Sequence, residues 1–222
     1  MTGRIAEFSI LKQKIRQWYL HGIAPAANRL SRWQVHPNTL TLAGLVLSIG
    51  AGWFYSSGNF LWGGLVVILA GTCDALDGQM ARQTGKDSPF GAFFDSVIDR
   101  FGELFIFLGL AWHFSGVSAA SPEPMHGPLP VLIVILALSG SFMVSYARAR
   151  AEGLGIDCKA GWMQRPERMV FLIAGSLLSG MGGAGHTVML LTLLVIAMMS
   201  HATAIQRIIY VRNQMSEKDR AS

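Results

Sequence analysis

The chain has 222 residues, 51% of them hydrophobic and 14% charged, with a net charge of +5 and two cysteines. Its apolar residues fall in long blocks, not in the short amphipathic periods of a water-soluble domain, which excludes an ordinary soluble enzyme and predicts an all-α, polytopic membrane protein. A nucleic-acid partner is excluded as well, because the basic residues form no continuous groove with aromatic platforms.

In chain order, Ile5, Phe8, Leu11, Ile15, Tyr19 and Leu20 recur mostly every three or four residues with basic residues between them. That pattern predicts an amphipathic helix lying on an anionic membrane surface, within an interfacial segment 1–36. The same stretch lacks an uninterrupted apolar core and a small-residue cleavage site, so no signal peptide is expected. His36-Pro37-Asn38-Thr39 breaks this segment, with Asn38 or Thr39 expected to cap the next helix. Six spans of about 20 residues, the length a hydrocarbon core of roughly 30 Å requires, follow at 38–57, 61–82, 90–114, 129–151, 165–183 and 187–210. Together they make a transmembrane domain over 37–212, and 213–222 reads as a polar tail. Glycines in the first two spans, Gly50 and Gly64 among them, are expected to let helices approach closely. Cys73 and Cys158 fall on the side where disulfides do not persist.

The 18 Lys and Arg lie in 1–37, 82–100, 148–168 and 207–220, and none falls in the turns around 56–60, 115–128 or 180–188. With six spans every basic residue is on one side, and the positive-inside rule makes that side, with both termini, cytoplasmic, in the inner (plasma) membrane.

Against this apolar background stand four carboxylates. Asp74 and Asp77 are three residues apart near the cytoplasmic end of the second span, and Gly91, Asp95 and Asp99 recur every four residues on the third. Each pair shares a helix face. A carboxylate at membrane depth costs at least about a few kcal/mol, so four that converge need a compensating positive charge. Hard oxygen ligands suit Mg2+ or Mn2+, and two such ions roughly 3.5–4 Å apart form a clamp for phosphoryl chemistry. Gly78, Ala81 and Gly91 remove side-chain bulk beside these acids, and Arg82 can pair with a phosphate. Glu103 continues the Gly91, Asp95, Asp99 stripe and reads as a hydrogen-bonding support, not as a further ligand. Five arginines, Arg148, Arg150, Arg165, Arg168 and Arg207, cluster at cytoplasmic helix ends. Positive-inside topology accounts for some of them, whereas a phosphorylated ligand would use bidentate arginine contacts.

The run Asp74-x-x-Asp77-Gly78-x-x-Ala81-Arg82, then Gly91, Asp95 and Asp99, resembles at every defined position the signature of the CDP-alcohol phosphotransferase family. That resemblance implies a six-helix membrane fold, a homodimer, an active site open to the cytoplasm, and replacement of CMP on a CDP-linked lipid by an alcohol. It further implies that Asp74 and Asp95 bridge two divalent ions, Asp77 holds one, and Asp99 holds the other while taking the proton of the attacking hydroxyl. By the same similarity Asn38, Thr39, Leu40 and Thr41, with Gly78, Ala81, Arg82, Ser88 and Gly91, would bind CDP-diacylglycerol. Ser145-Tyr-Ala-Arg148-Ala-Arg150-Ala-Glu152, with Gly161 and Arg165-Pro-Glu-Arg168, resembles the phosphatidylinositol phosphate synthases of actinobacteria. This implies inositol 1-phosphate as acceptor, bound by Arg148, Arg150, Arg168 and Arg207, with Arg148 standing where a lysine is expected. Rival readings are a phosphatidylglycerol phosphate synthase using glycerol 3-phosphate, an archaetidyl homologue using ether lipids and, in a different class, a divalent-cation transporter.

Overall fold

The computed structural model describes residues 19, 21–33, 35–85, 88–117 and 125–221. Every regular element among them is helical: α1 (21–32), α2 (Pro37–Ser56), α3 (Phe60–Thr84), α4 (Pro89–Ser115), α5 (Pro128–Glu152), α6 (Arg165–Ser179) and α7 (Gly185–Ala221). Of the amphipathic helix expected at the N-terminus, only Tyr19 belongs to the described residues, where its hydroxyl bonds Thr72 Oγ1 at 2.8 Å; the remainder lies outside them.

Helix boundaries follow local chemistry. Pro37 occupies the first position of α2, so the cap falls two residues before Asn38: His36 Nδ1 accepts the Asn38 N–H at 3.3 Å, and neither Asn38 nor Thr39 is the cap. At α4, Pro89 again stands first and Ser88 Oγ accepts the Gly91 N–H at 3.0 Å, which is the serine capping geometry. Beyond 212, where a polar tail was expected, α7 continues to Ala221. Gln, Met, Glu, Lys and Arg there are good helix formers.

Four helices are long and apolar enough to cross a membrane: Pro37–Ser56, Phe60–Gln83, Pro128–Glu152 and Gly185–Glu217. The other two long helices are limited in different ways. α4 carries Asp95, Asp99, Arg100 and Glu103, and α6, with 15 residues, reaches only about 22 Å against a core of roughly 30 Å. Large apolar side chains such as Val46, Leu108, Ile135, Phe171, Met198 and Ile205 are exposed on the helices, and exposed Trp53, Trp62 and Trp112 sit in the terminal turns of α2, α3 and α4. A surface of this kind requires a lipid solvent, and tryptophans at helix ends suit the interface. The protein is an integral membrane protein.

The chain divides into two compact units, Met1–Leu47 with Leu69–Phe101 and Ser48–Ile68 with Gly102–Ser222. In the first, α1 packs through buried Ala27 on Leu76 and Met80 of α3, with Ile23, Leu30, Val35 and Leu40 around them. The second has a larger core in which Tyr55, Phe107, Leu110, Val134, Leu172, Leu193 and Ile196 are buried together, and α7 packs against α5 and α6. Its helices approach closely where glycine permits. A Cβ on Gly52 would clash with the Phe105 carbonyl oxygen, and one on Gly109 with that of Gly52. Gly64 packs on Ser176 as expected, whereas Gly50 faces open space; Gly52 carries the contact assigned to it.

Candidate active site

In the first unit, α3 presents Asp74 and Asp77 three residues apart and α4 presents Asp95 and Asp99 four apart, so each helix aims two acids in one direction. One carboxylate oxygen from each of Asp74, Asp95 and Asp99 lies within 4.8 Å of the others, and all three residues are half-buried. Arg100 Nη1 stands 3.5 Å from Asp99 Oδ2. Asp77, the fourth acid of the motif, is buried, and its Oδ2 accepts a hydrogen bond from Thr41 Oγ1 at 2.7 Å. Three carboxylates this close repel one another unless a cation sits among them. A hard divalent ion with oxygen ligands at about 2.0–2.4 Å puts opposite ligands up to roughly 4.8 Å apart, so the donor set fits in both chemistry and size.

The two glycines beside the acids differ in the space around them. At Gly78 a Cβ would meet only the Arg82 guanidinium, 3.5 Å from Nη1, so the exposed Arg82 arches over the bare backbone next to Asp77. A Cβ on Gly91 would lie 3.1 Å from Ser88 Oγ and 4.0 Å from Asn38 Oδ1, which brings three of the expected donor-binding positions together. Thr39 is exposed, Ala81 is half-buried, and Leu40 packs in the α1–α3 cluster. Thr41 and Ser88 have internal work as well, one holding Asp77 and the other capping α4.

The expected acceptor arginines all lie in the second unit, in three different settings. Arg148 is exposed and donates through Nε to Glu152 Oε1 at 2.8 Å. Arg150 and Arg207 line an open groove of about 600 Å³ between α5 and α7, together with Tyr146, Arg212 and Met215. The Arg207 guanidinium is buried at its base, where Nε donates to the Ala160 carbonyl at 2.9 Å and Nη1 to that of Val144. Arg168 is 2% exposed and donates through Nη2 to Glu103 Oε1 at 3.0 Å, while Glu103 Oε2 accepts from Ser141 Oγ at 2.6 Å. Glu103 is thus a supporting residue, and its partners Arg168 and Ser141 were not legible as such: they are 65 and 38 residues away in sequence.

Residues 34–209 match the family model described as CDP-alcohol phosphatidyltransferase. A phosphatidylinositol phosphate synthase from Streptomyces avermitilis is 35% identical over 223 residues, covering 96% of this chain and 87% of the relative. An archaetidylinositol phosphate synthase from Methanothermobacter thermautotrophicus is 35% identical over 194 residues, covering 85% and 88%. The phosphatidylinositol phosphate synthase of Mycobacterium tuberculosis, in its crystal structure with CDP-DAG bound, superposes with a TM-score of 0.73 at 28% identity over 84% of this chain and 92% of that one. The same protein has also been solved in complex with manganese and citrate. With its acidic motif intact from Asp74 to Asp99, the chain belongs to the CDP-alcohol phosphatidyltransferase family.

Proposed function

We propose that this protein transfers the phosphatidyl group of CDP-diacylglycerol to inositol 1-phosphate, releasing CMP and forming phosphatidylinositol phosphate. The observation that carries the reading is the convergence of Asp74, Asp95 and Asp99 within 4.8 Å, inside a motif matched at every position. The acceptor follows from relatives named for inositol phosphate in both a bacterium and an archaeon.

In this reading Asp74, Asp95 and Asp99 hold two divalent ions, Mg2+ or Mn2+, and Asp77, fixed by Thr41, completes the set from its own side. When bound, such ions supply the positive charge that neutralises the acids and polarises phosphoryl oxygens. Arg82, Asn38 and Gly91 orient the donor, with Thr39, Leu40, Thr41, Gly78, Ala81 and Ser88 shaping its seat. Asp99 accepts the proton of the inositol hydroxyl, whose oxygen bonds to the phosphatidyl phosphorus as the bond to the bridging oxygen breaks; the electron pair leaves with CMP. Arg148, Arg150, Arg168 and Arg207 recognise the acceptor's phosphate. Arg150 and Arg207 suit this best, because they share one open groove and the carbonyls of Ala160 and Val144 pre-orient Arg207.

The topology belongs to the same proposal. α2 to α7 make six spans, α4 being admitted because its acids face ions and protein instead of lipid, within a transmembrane domain 37–212 flanked by an interfacial segment 1–36 and a tail 213–222. All 18 basic residues, both termini and the active site are then cytoplasmic at the inner membrane, and the working form is a homodimer. Incubating purified protein with CDP-diacylglycerol and Mg2+ plus inositol 1-phosphate, glycerol 3-phosphate, serine or free inositol, and measuring CMP release, tests the acceptor. Release is expected with inositol 1-phosphate; release with glycerol 3-phosphate alone would replace this acceptor with the other.

A further inference from the structure

Outside the acidic motif, the described residues bring together a second group of metal-ligating side chains, and the transferase reading gives it no role. His113 ends α4, His126 precedes α5, and His186 opens α7. One ring nitrogen from each lies within 4.8 Å of the others, and all three residues are half-buried. The rings are close: His113 and His186 stack with centroids 5.0 Å apart, and His126 stands edge-on to both at 5.1 and 5.7 Å.

The backbone is arranged to bring them there. Gly116 has φ +73°, and a Cβ on it would lie 3.0 Å from the Cβ of His126, so the turn after α4 needs glycine for His126 to sit where it does. The Gly127 N–H then donates to the Phe114 carbonyl at 2.8 Å, fixing the return of the chain to the end of α4. Phe60 and Phe114 wall the group on one side. Both nitrogens of His126, Nδ1 and Nε2, are buried and make no hydrogen bond. Burying two imidazole nitrogens without a partner is costly, and a metal ion removes that cost. No Lys or Arg occurs in 101–147 or in 169–206, so the three chain segments that supply the histidines bring no cation to repel a metal.

We propose that His113, His126 and His186 form a binding site for a borderline transition-metal dication, Zn2+ foremost. Three imidazoles suit such ions and are poor ligands for Mg2+. Zn–N bonds of about 2.0–2.1 Å set ligand nitrogens roughly 3.4 Å apart in a tetrahedron, so the present arrangement closes on an ion by side-chain rotation of about 1.5 Å or less. Three protein ligands leave a fourth position for water. Because the ligands come from the end of α4, the segment before α5 and the start of α7, the ion acts as a tie among those segments.

The test is Co2+ titration of the purified full chain in excess Mg2+, which fills the carboxylate site and competes poorly for imidazole. Expected are about one equivalent of Co2+ with the visible absorption of a tetrahedral nitrogen site, and a rise of about 5 °C in melting temperature with Zn2+. Both are lost in H126Q and, as a second variant, H186Q, while both persist in D95N and CMP release in Mg2+ is unchanged by H126Q. Failure of the wild-type chain to take up Co2+ under these conditions, or undiminished uptake by H126Q or H186Q, overturns the proposal.

Discussion

Helix α4 carries a buried acid and, one and two turns earlier in sequence, two half-buried ones, and they meet the same electrostatic problem in opposite ways. At Glu103 the carboxylate is neutralised from within the protein, by Arg168 at 3.0 Å and Ser141 at 2.6 Å, and nothing more is needed. Asp95 and Asp99 instead share a cluster with a third acid, Asp74, one carboxylate oxygen of each within 4.8 Å of the others, and Arg100 stands 3.5 Å from Asp99. An acid with its own buried cation is part of the structure, whereas acids that face one another are a socket for a charge brought from outside.

The largest effect expected from breaking this contrast is on turnover. D99N keeps the side chain's shape but removes the proposed proton acceptor and ligand charge, so kcat is expected to fall by about 10³-fold or more with donor binding largely retained. Steady-state CMP release beside equilibrium binding of CDP-diacylglycerol separates the two, and a D99N enzyme of ordinary activity removes Asp99 from the chemistry.

At Glu103 the loss should appear in stability. E103A leaves the Arg168 guanidinium buried without its counter-charge, a cost of about 3–5 kcal/mol, and replacing both members with apolar residues recovers much of it. Thermal unfolding in detergent distinguishes this from a ligand role, for which the double replacement would recover nothing.

A smaller effect belongs to the groove. R150A, which removes an exposed guanidinium, should raise the KM for inositol 1-phosphate about tenfold and leave kcat and the KM for the donor near wild type. Equal changes in both KM values would detach Arg150 from acceptor recognition. Smallest of all, S88A costs about 1 kcal/mol through loss of the α4 cap, measured by denaturation in detergent. A much larger loss of activity than of stability would mean that Ser88 also touches the donor.

The contrast also explains what could be read from the sequence. Helix positions were legible because each apolar block is bounded by turn formers, as at Ser57-Gly58-Asn59 and Gly180 to Gly185. The acid stripes were legible because i, i+3 and i, i+4 spacing fixes a helix face without any tertiary knowledge. Contacts across the chain were not. The Glu103–Arg168 pair joins residues 65 apart, and Thr41 bonds Asp77 from 36 residues away. The same holds for Gly52, two positions from the Gly50 that periodicity could equally have favoured, and for three histidines scattered over 113–186. Helical spacing says which way a residue points; only packing says what it meets.

The most direct measurement of the central claim is Mn2+ binding to the wild-type chain and to the triple variant D74N, D95N and D99N, followed by electron paramagnetic resonance alongside CMP release. Wild type should bind Mn2+ and turn over, and the triple variant should do neither while remaining folded. Undiminished Mn2+ binding by the triple variant, or wild-type turnover that persists after divalent ions are chelated, would contradict the account.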